Sequence, residues 1–350
     1  MIALIVFVVA LIFAHQLTPV VRAAARRFGV IDAPNPNNPG KIHKIPTPLA
    51  GGVAIYLGAT IVILLFVGFG REMLALWLGA TVMLGLGLVD DIFVIDWKPR
   101  MALQVVAATL FVLLADVRVP AFAGAYWALP LEIFWLVGVT NALNLMDNID
   151  GATSGVTFLA GVVLFLVAPG TAYGVAALAI AGASLGFLRY NSKPASIFLG
   201  DTGTLFLGFS LGALSLMVAT QMHGGGHQLL VFPLVLGMPI FDTSLATFLR
   251  IKNRRPIYLP DRSNLTYRLF ATGMAHREVV LFEYLLAAFL GLCALALLRL
   301  EGALAALPLL AAASAVSLIG SRLSRELGEA PQLTSRPARA AQASPTQSAA

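Results

Sequence analysis

The sequence predicts an all-α polytopic membrane protein with about eleven transmembrane helices. Three observations support this fold class: the composition, a series of long apolar stretches, and an uneven distribution of positive charge between the segments that connect them. Of the 350 residues, 59% are hydrophobic and only 11% are charged, whereas charged residues make up roughly a quarter of a typical soluble domain. Such a composition is typical of a chain that crosses a bilayer repeatedly.

Eleven apolar stretches can span a bilayer if their flanking residues are included, since a perpendicular helix needs about 20 residues. In chain order they are Ile2–Val21, Gly51–Phe69, Met73–Val89, Met101–Ala115, Leu129–Leu143, Val156–Ala168, Ala172–Leu188, Thr204–Thr220, Gln228–Leu249, Val279–Leu298 and Ala303–Gly320. No basic residue precedes the first stretch, which therefore reads as a retained span and not as a cleaved signal peptide. We expect one transmembrane domain, residues 1–322, and a disordered tail, residues 323–350, rich in Ala, Ser, Pro and Gln.

Positive charge predicts the orientation, because cytoplasmic connections carry an excess of Lys and Arg. All but three of the 23 Lys and Arg residues fall in segments on one side of the predicted spans, the exceptions being Arg71, Arg118 and Arg299. We therefore expect the N-terminus outside and the C-terminus in the cytoplasm. The same bias accounts for the net charge of +6, so no nucleic-acid partner is expected.

Acidic residues collect on the predicted cytoplasmic side. Asp90 and Asp91 end the third stretch, Asp147 and Asp150 follow the fifth, and Asp201 precedes the eighth. Acids near a bilayer are costly and usually face a cavity, a partner or an ion. Carboxylates surrounded by Lys and Arg suit a Mg²⁺ site that handles phosphates, because hard cations prefer oxygen ligands. Simple ion pairs with the neighbouring Arg and Lys residues are the alternative interpretation.

Four strings on this side carry a resemblance to a known family. They are KIHKIPTPLAGG (Lys41–Gly52), VDDIFVIDWKPRMALQ (Val89–Gln104), NALNLMDNIDGATSG (Asn141–Gly155) and RYNSKPASIFLGDTGTLFLG (Arg189–Gly208). Together they resemble the polyprenyl-phosphate N-acetylhexosamine-1-phosphate transferases, which include GlcNAc-1-phosphate transferases and the phospho-MurNAc-pentapeptide translocase. The resemblance implies an MraY-like multi-span fold in a bacterial inner membrane, in agreement with the predicted spans.

The resemblance implies transfer of a sugar-1-phosphate from a UDP-sugar to polyprenyl phosphate at the cytoplasmic face. The reaction releases UMP and starts the assembly of a cell-envelope polysaccharide. UDP-GlcNAc and undecaprenyl phosphate are the expected substrates, with UDP-MurNAc-pentapeptide as the alternative sugar donor. Mg²⁺ is the expected cofactor with Mn²⁺ as the alternative, and formation of a homodimer is left open. A membrane transporter is the alternative of another class. Transporters place charged sites near the membrane midplane, often between inverted repeats, whereas the aspartates here lie at the ends of the predicted spans.

The resemblance also assigns roles to single residues. Asp90 would deprotonate or position the acceptor phosphate, and Asp91 would support the arrangement of metal and phosphates. Asp201 would bind the metal with Asn144 as its companion. Direct attack of the acceptor is preferred, and a covalent phospho-aspartate route stays open. Asp150 would contact uracil and Phe198 would stack on it. The other residues expected to contact the nucleotide, the sugar or the phosphates are Asp147, Asn191, Lys44, Lys98 and Arg100.

The chain departs from the family in the loop RRPIYLPDRSNLTYRL (Arg254–Leu269), where the family has a histidine-rich motif. None of the residues at the expected histidine positions can offer a cation near neutral pH. Guanidinium groups bind phosphate in a bidentate manner, so Arg262 and Arg268 are expected to supply part of the pyrophosphate contact. The three residues at the histidine positions are Asn264, Thr266 and Tyr267.

Overall fold

The computed structural model describes residues 1–34, 45–68, 70–122, 124–222, 226–257 and 262–326. The helices are α1 (Ile2–Arg27), α2 (Gly52–Phe66), α3 (Arg71–Phe93), α4 (Trp97–Leu114), α5 (Ala128–Met146), α6 (Ala152–Val167), α7 (Ala172–Asn191), α8 (Gly200–Thr220), α9 (Val231–Val235), α10 (Gly237–Lys252), α11 (Leu265–Ala271), α12 (His276–Leu297) and α13 (Ala306–Glu326). Two short strands, β1 (Ile31–Asp32) and β2 (Thr47–Pro48), pair in antiparallel orientation.

Every predicted stretch corresponds to one helix or to one bent pair of helices. Within the described residues, eight helical segments are long and apolar enough to cross a membrane. Helices α2 and α6 are apolar but have only 15 and 16 residues. The ninth stretch forms a pair, His227–Val235 and Gly237–Lys252, that is bent by 80° and reads as a broken span. The all-α polytopic fold class is therefore confirmed, and the short and broken segments account for the remaining three predicted spans.

Helix α8 forms the centre of the bundle. Its apolar window is buried along the whole length, and α2, α3 and α5 pack around it. A helix that is apolar on all sides belongs in the interior of a bundle. Gly, Ala, Ser and Thr recur along α8, and small residues allow helices to approach closely in a membrane, where packing contributes much of the association energy.

The start of α2 and the C-terminal part of α3 meet the first turn of α8 at glycine contacts. Gly87 of α3 lies against the backbone carbonyl of Asp201, and an added Cβ at Gly87 would overlap that oxygen. Gly52 at the start of α2 lies in the same way against the backbone of Gly203. The Gly87 contact thus brings the acidic end of α3 to the first turn of α8, and the Gly52 contact brings the start of α2 to the same turn.

Helix α13 extends to Glu326 and so includes the first four residues of the predicted disordered tail, 323–326. Leu323 is buried, and its carbonyl oxygen accepts a hydrogen bond of 2.7 Å from Arg268 Nη1. Burial of Leu323 and this hydrogen bond attach the last turn of α13 to α11. The composition of the tail, which predicts disorder, does not indicate this contact. The rest of the predicted tail, residues 327–350, lies outside the described residues.

The Gly87 contact can be tested in detergent-solubilised protein. We expect Gly87→Ala to lower the free energy of unfolding by about 1–3 kcal/mol, because the added methyl group separates α3 from α8. Thermal unfolding measures the change. Gly85 of the same helix is the matched control, since a Cβ there meets no other atom within 4 Å. An equal loss of stability in Gly85→Ala would contradict the role of the close contact.

Candidate active site

Two carboxylates from different helices converge on one guanidinium group. Arg100 lies in the first turn of α4, and its Nη1 is 2.6 Å from Asp90 Oδ2 and 3.1 Å from Asp201 Oδ2. Asp90 Oδ1 accepts a hydrogen bond of 2.6 Å from the backbone N–H of Ile95, in the turn between α3 and α4. Both oxygens of Asp90 are thus engaged, and its side chain is only 5% exposed, against 32% for Asp201.

Asp91 contacts the start of α8 and not Arg100. Its Oδ1 accepts a hydrogen bond of 2.8 Å from the backbone N–H of Asp201. Its Oδ2 accepts hydrogen bonds from Thr202, at 3.1 Å from the backbone N–H and at 2.6 Å from Oγ1. The first N–H groups of a helix have no partner within the helix and favour a negative charge. Asp91 therefore holds the backbone that carries Asp201, while Asp90 reaches the guanidinium group.

The structure brings the predicted metal pair together. Asn144, in the last turn of α5, donates from Nδ2 to Asp201 Oδ1 at 2.7 Å and to Thr204 Oγ1 at 2.8 Å. Sequence reasoning did not single out Thr202 or Thr204. Two threonines that follow Asp201 within the first five residues of α8 are the signal that could have identified them.

The donor set of this cluster fits a divalent cation. Asp90 Oδ2 and Asp201 Oδ2 flank a single cationic nitrogen, and the Asn144 amide adjoins Asp201. In the part of the chain that the structure describes, no group of three or more His, Cys, Asp or Glu side chains is arranged to hold a metal ion. Mg²⁺ commonly uses only one or two carboxylates and completes its shell with water and substrate phosphates. The residues present match that mode of binding.

Asn191, at the end of α7, ties two loops beside the cluster together. Its Oδ1 accepts hydrogen bonds from the backbone N–H of Gly151 at 3.2 Å and from Ser154 Oγ at 2.9 Å. Its Nδ2 donates to the carbonyl oxygen of Ile197 at 3.2 Å. The side chain is buried, so in this structure it connects the segment after α5 to the segment before α8. Its predicted contact with the nucleotide stays a prediction.

Asp150 and Phe198 lie in the two loops that Asn191 connects. Asp150 Oδ2 accepts a hydrogen bond of 3.1 Å from the backbone N–H of Ala195. The backbone of Phe198 donates to the carbonyl oxygen of Pro48 at 2.8 Å and accepts from the N–H of Gly51 at 3.0 Å. The motif before α2, the motif after α5 and the motif before α8 are therefore joined by hydrogen bonds.

Asp147 is close enough to Asp91 and to Asp150 for the charge of each to act on it. It follows the last residue of α5 and is partly buried. Burial raises the pKa of Asp147 to about 7, and the negative charges of Asp91 and Asp150 act in the same direction. This carboxyl group therefore keeps its proton to a much higher pH than an ordinary aspartate does.

The predicted cationic residues occupy different environments. Arg100 contacts the carboxylates, whereas Lys98 is exposed, with its Nζ 5.8 Å from the centre of the Trp97 ring. The Arg262 guanidinium lies over the Tyr267 ring at 5.9 Å. Lys44 lies outside the described residues. The roles proposed for these residues in binding substrate stay predictions.

Arg268 is turned into the protein. It is buried, and its Nη1 donates to the carbonyl oxygen of Leu323 in α13. This hydrogen bond joins the guanidinium group on α11 to the C-terminal end of α13. The structure thus gives Arg268 a structural contact, and its predicted contact with pyrophosphate remains untested.

The pKa of Asp147 predicts a dependence of stability on pH. Because this pKa is about 7 in the folded protein in place of an ordinary 3.8, the folded state binds a proton that the unfolded chain releases. Stability from this group is therefore present at low pH and is lost as the pH rises through 7. We expect the thermal midpoint of Asp147→Asn to fall less steeply than that of the wild type between about pH 5.5 and about pH 8. Equal slopes would contradict the prediction, and the exposed Asp116→Asn variant is the control.

Comparison with known proteins identifies the family. The glycosyl transferase family 4 model matches residues 73–219. The chain is 35% identical over 306 residues, 84% of each chain, to the probable undecaprenyl-phosphate N-acetylglucosaminyl 1-phosphate transferase of Bacillus subtilis. It is 28% identical to the decaprenyl-phosphate N-acetylglucosaminephosphotransferase of Mycobacterium tuberculosis, over 79% of this chain and 78% of that one.

A third relative represents the other branch that the motifs resemble. The chain is 31% identical to the phospho-N-acetylmuramoyl-pentapeptide-transferase of Moorella thermoacetica, over 81% of this chain and 95% of the relative. The residues matched by the family model, 73–219, include Asp90, Asp91, Arg100, Asn144 and Asp201. The resemblance of the motifs is thereby confirmed, and the chain belongs to glycosyl transferase family 4, a family of membrane-bound sugar-phosphate transferases.

Proposed function

We propose that this protein transfers GlcNAc-1-phosphate from UDP-GlcNAc to undecaprenyl phosphate and releases UMP. An oxygen of the acceptor phosphate forms a bond to the phosphorus that carries the sugar. The bond from that phosphorus to the oxygen bridging it to the UMP phosphate breaks, and UMP leaves with this oxygen. The product is an undecaprenyl diphosphate-linked sugar, suited to the first step of a cell-envelope polysaccharide.

The convergence of Asp90 and Asp201 on Arg100 is the observation that carries this proposal. Two anionic substrates repel each other, so a site that joins them needs fixed positive charge and a place for a cation. The cluster supplies a guanidinium group between two carboxylates at 2.6 and 3.1 Å. An incoming phosphate competes with these carboxylates for Arg100, and guanidinium binds phosphate in a bidentate manner.

Asp201 and Asn144 would hold Mg²⁺, with Mn²⁺ as a substitute. When bound, the metal neutralises phosphate charge and polarises the phosphorus–oxygen bonds. Asp91 keeps Asp201 in place by fixing the first turn of α8. Thr204 supports Asn144 from the next turn of the same helix.

Asp90 would orient the acceptor phosphate, through Arg100, for direct attack. Both of its carboxylate oxygens are already engaged, one by Arg100 and one by the backbone N–H of Ile95. A carboxylate held in this way is a poor nucleophile toward phosphorus, and this supports the direct route over a covalent phospho-aspartate. The nucleotide would lie on the other side of Asp147, near Asp150 and Phe198.

The membrane placement extends this proposal. The spans and the excess of Lys and Arg support an inner membrane protein with its site at the cytoplasmic face, where UDP-sugars are available. UDP-MurNAc-pentapeptide is a second candidate donor, favoured by the long match to the Moorella relative. Purified protein supplied with undecaprenyl phosphate, Mg²⁺ and a panel of UDP-sugars decides between the donors. Release of UMP with none of them would overturn the proposal.

The metal assignment predicts the effect of Asp201→Asn. We expect kcat to fall by about 100-fold or more, because one metal ligand is lost at the reacting phosphates. Release of UMP measures the rate, and Mn²⁺ titration followed by electron paramagnetic resonance measures metal affinity. Asp116→Asn, in the exposed pair with Arg118, is the control. Wild-type metal affinity and turnover in Asp201→Asn would contradict the assignment.

The missing histidines predict a role for Arg262. We expect Arg262→Ala to raise the KM for the UDP-sugar about tenfold, since a charge-assisted hydrogen bond to phosphate contributes roughly 1.5–3 kcal/mol. Steady-state kinetics at saturating acceptor measure the change. Arg299→Ala, at the predicted outer face, is the control. An unchanged KM in Arg262→Ala would show that the pyrophosphate contact lies elsewhere.

A further inference from the structure

A buried carboxylate outside the site holds the segment that replaces the histidine-rich motif. Asp242 of α10 is fully buried. Its Oδ1 accepts a hydrogen bond of 2.6 Å from the backbone N–H of Leu265, and its Oδ2 accepts one of 3.1 Å from Asn264 Nδ2. The buried Arg250 supplies an opposite charge to Asp242. Asp242 thereby fixes the start of α11 to the broken span.

Asn264 extends this contact to the end of α5. Its Nδ2 also donates to the carbonyl oxygen of Leu145 at 2.8 Å. Leu145 adjoins Asn144, the predicted companion of Asp201, and stands two residues before Asp147. One amide group of Asn264 therefore links α10 and α11 to the turn of α5 that leads into the predicted nucleotide side of the site.

A second buried pair anchors α11 to a different neighbour. Thr266 Oγ1 donates to Glu283 Oε1 of α12 at 2.6 Å, and both side chains are fully buried. Two of the three residues at the expected histidine positions, Asn264 and Thr266, thus have their polar groups bound inside the protein. They hold the segment in place and do not reach toward phosphates.

We propose that Asp242 and Asn264 are positioning residues for the nucleotide-sugar site. This inference rests on the proposed function. They hold the start of α11 against the end of α5, so that Asp147 and Asp150 keep the position in which they receive the nucleotide. The link leaves the acceptor side untouched, because Asp90 is held by Arg100 and by the backbone of Ile95. Loss of the link therefore acts on the UDP-sugar and not on the lipid.

Steady-state kinetics of the full-length protein in detergent test the link. Asn264→Ala and Asp242→Asn are each expected to raise the KM for the UDP-sugar about tenfold, with the KM for undecaprenyl phosphate changed less than about twofold. In the double variant the KM stays close to that of the stronger single variant, since both residues act through one link. Thr266→Val, two residues after Asn264 in the first turn of α11, is the matched control. It removes a buried hydrogen bond and lowers the thermal midpoint, but leaves the KM for the UDP-sugar within about twofold of the wild type.

Three results would overturn the inference: a wild-type KM for the UDP-sugar in folded Asn264→Ala, an equal rise in Thr266→Val, or effects that multiply in the double variant. If Asp242→Asn fails to fold, Asn264→Ala alone decides, because the hydrogen bond from Leu265 to Asp242 remains in that variant. No UMP release by the wild-type protein would overturn the proposed function, and this inference with it. Wild-type turnover with an unaltered Asn264→Ala overturns the inference alone.

Discussion

Asp91 accepts three hydrogen bonds from the first turn of α8, and the remaining geometry of the carboxylate cluster follows from them. They fix the backbone of Asp201, whose side chain then meets Arg100 from α4 and Asn144 from α5. The close approach of α3 to α8 at Gly87 allows these hydrogen bonds to form, because a side chain at this position would separate the two helices. One helix terminus thus organises residues from three other helices.

Much of this arrangement could be predicted from the chain. The length of the apolar stretches predicts the number of spans, since the energetic cost of exposing polar groups to lipid leaves few alternatives. The distribution of Lys and Arg predicts their orientation. The order of the four motifs predicted the family, and alternation of the spans across the membrane placed Asp90, Asp147, Asp150 and Asp201 on one side. The structure brings these residues into neighbouring positions.

The division of labour among the residues could not be predicted in the same way. Asp90 and Asp91 are adjacent and chemically identical, yet only the direction of each side chain at the end of α3 decides which meets Arg100 and which meets α8. The hydrogen bonds of Asn264 and Thr266 depend on partners 22 and 17 residues away in the chain. Such contacts are set by tertiary packing and leave no periodic signal.

The position of Arg100 between two carboxylates has a consequence for the order of events. The Arg100 guanidinium group is the counter-ion of the two carboxylates. A divalent cation that enters the cluster therefore either displaces this group or raises the local positive charge. The displaced guanidinium is then free to bind an anion. Under the proposed function, uptake of the cation and binding of the acceptor phosphate would therefore be thermodynamically linked, each strengthening the other by the same factor.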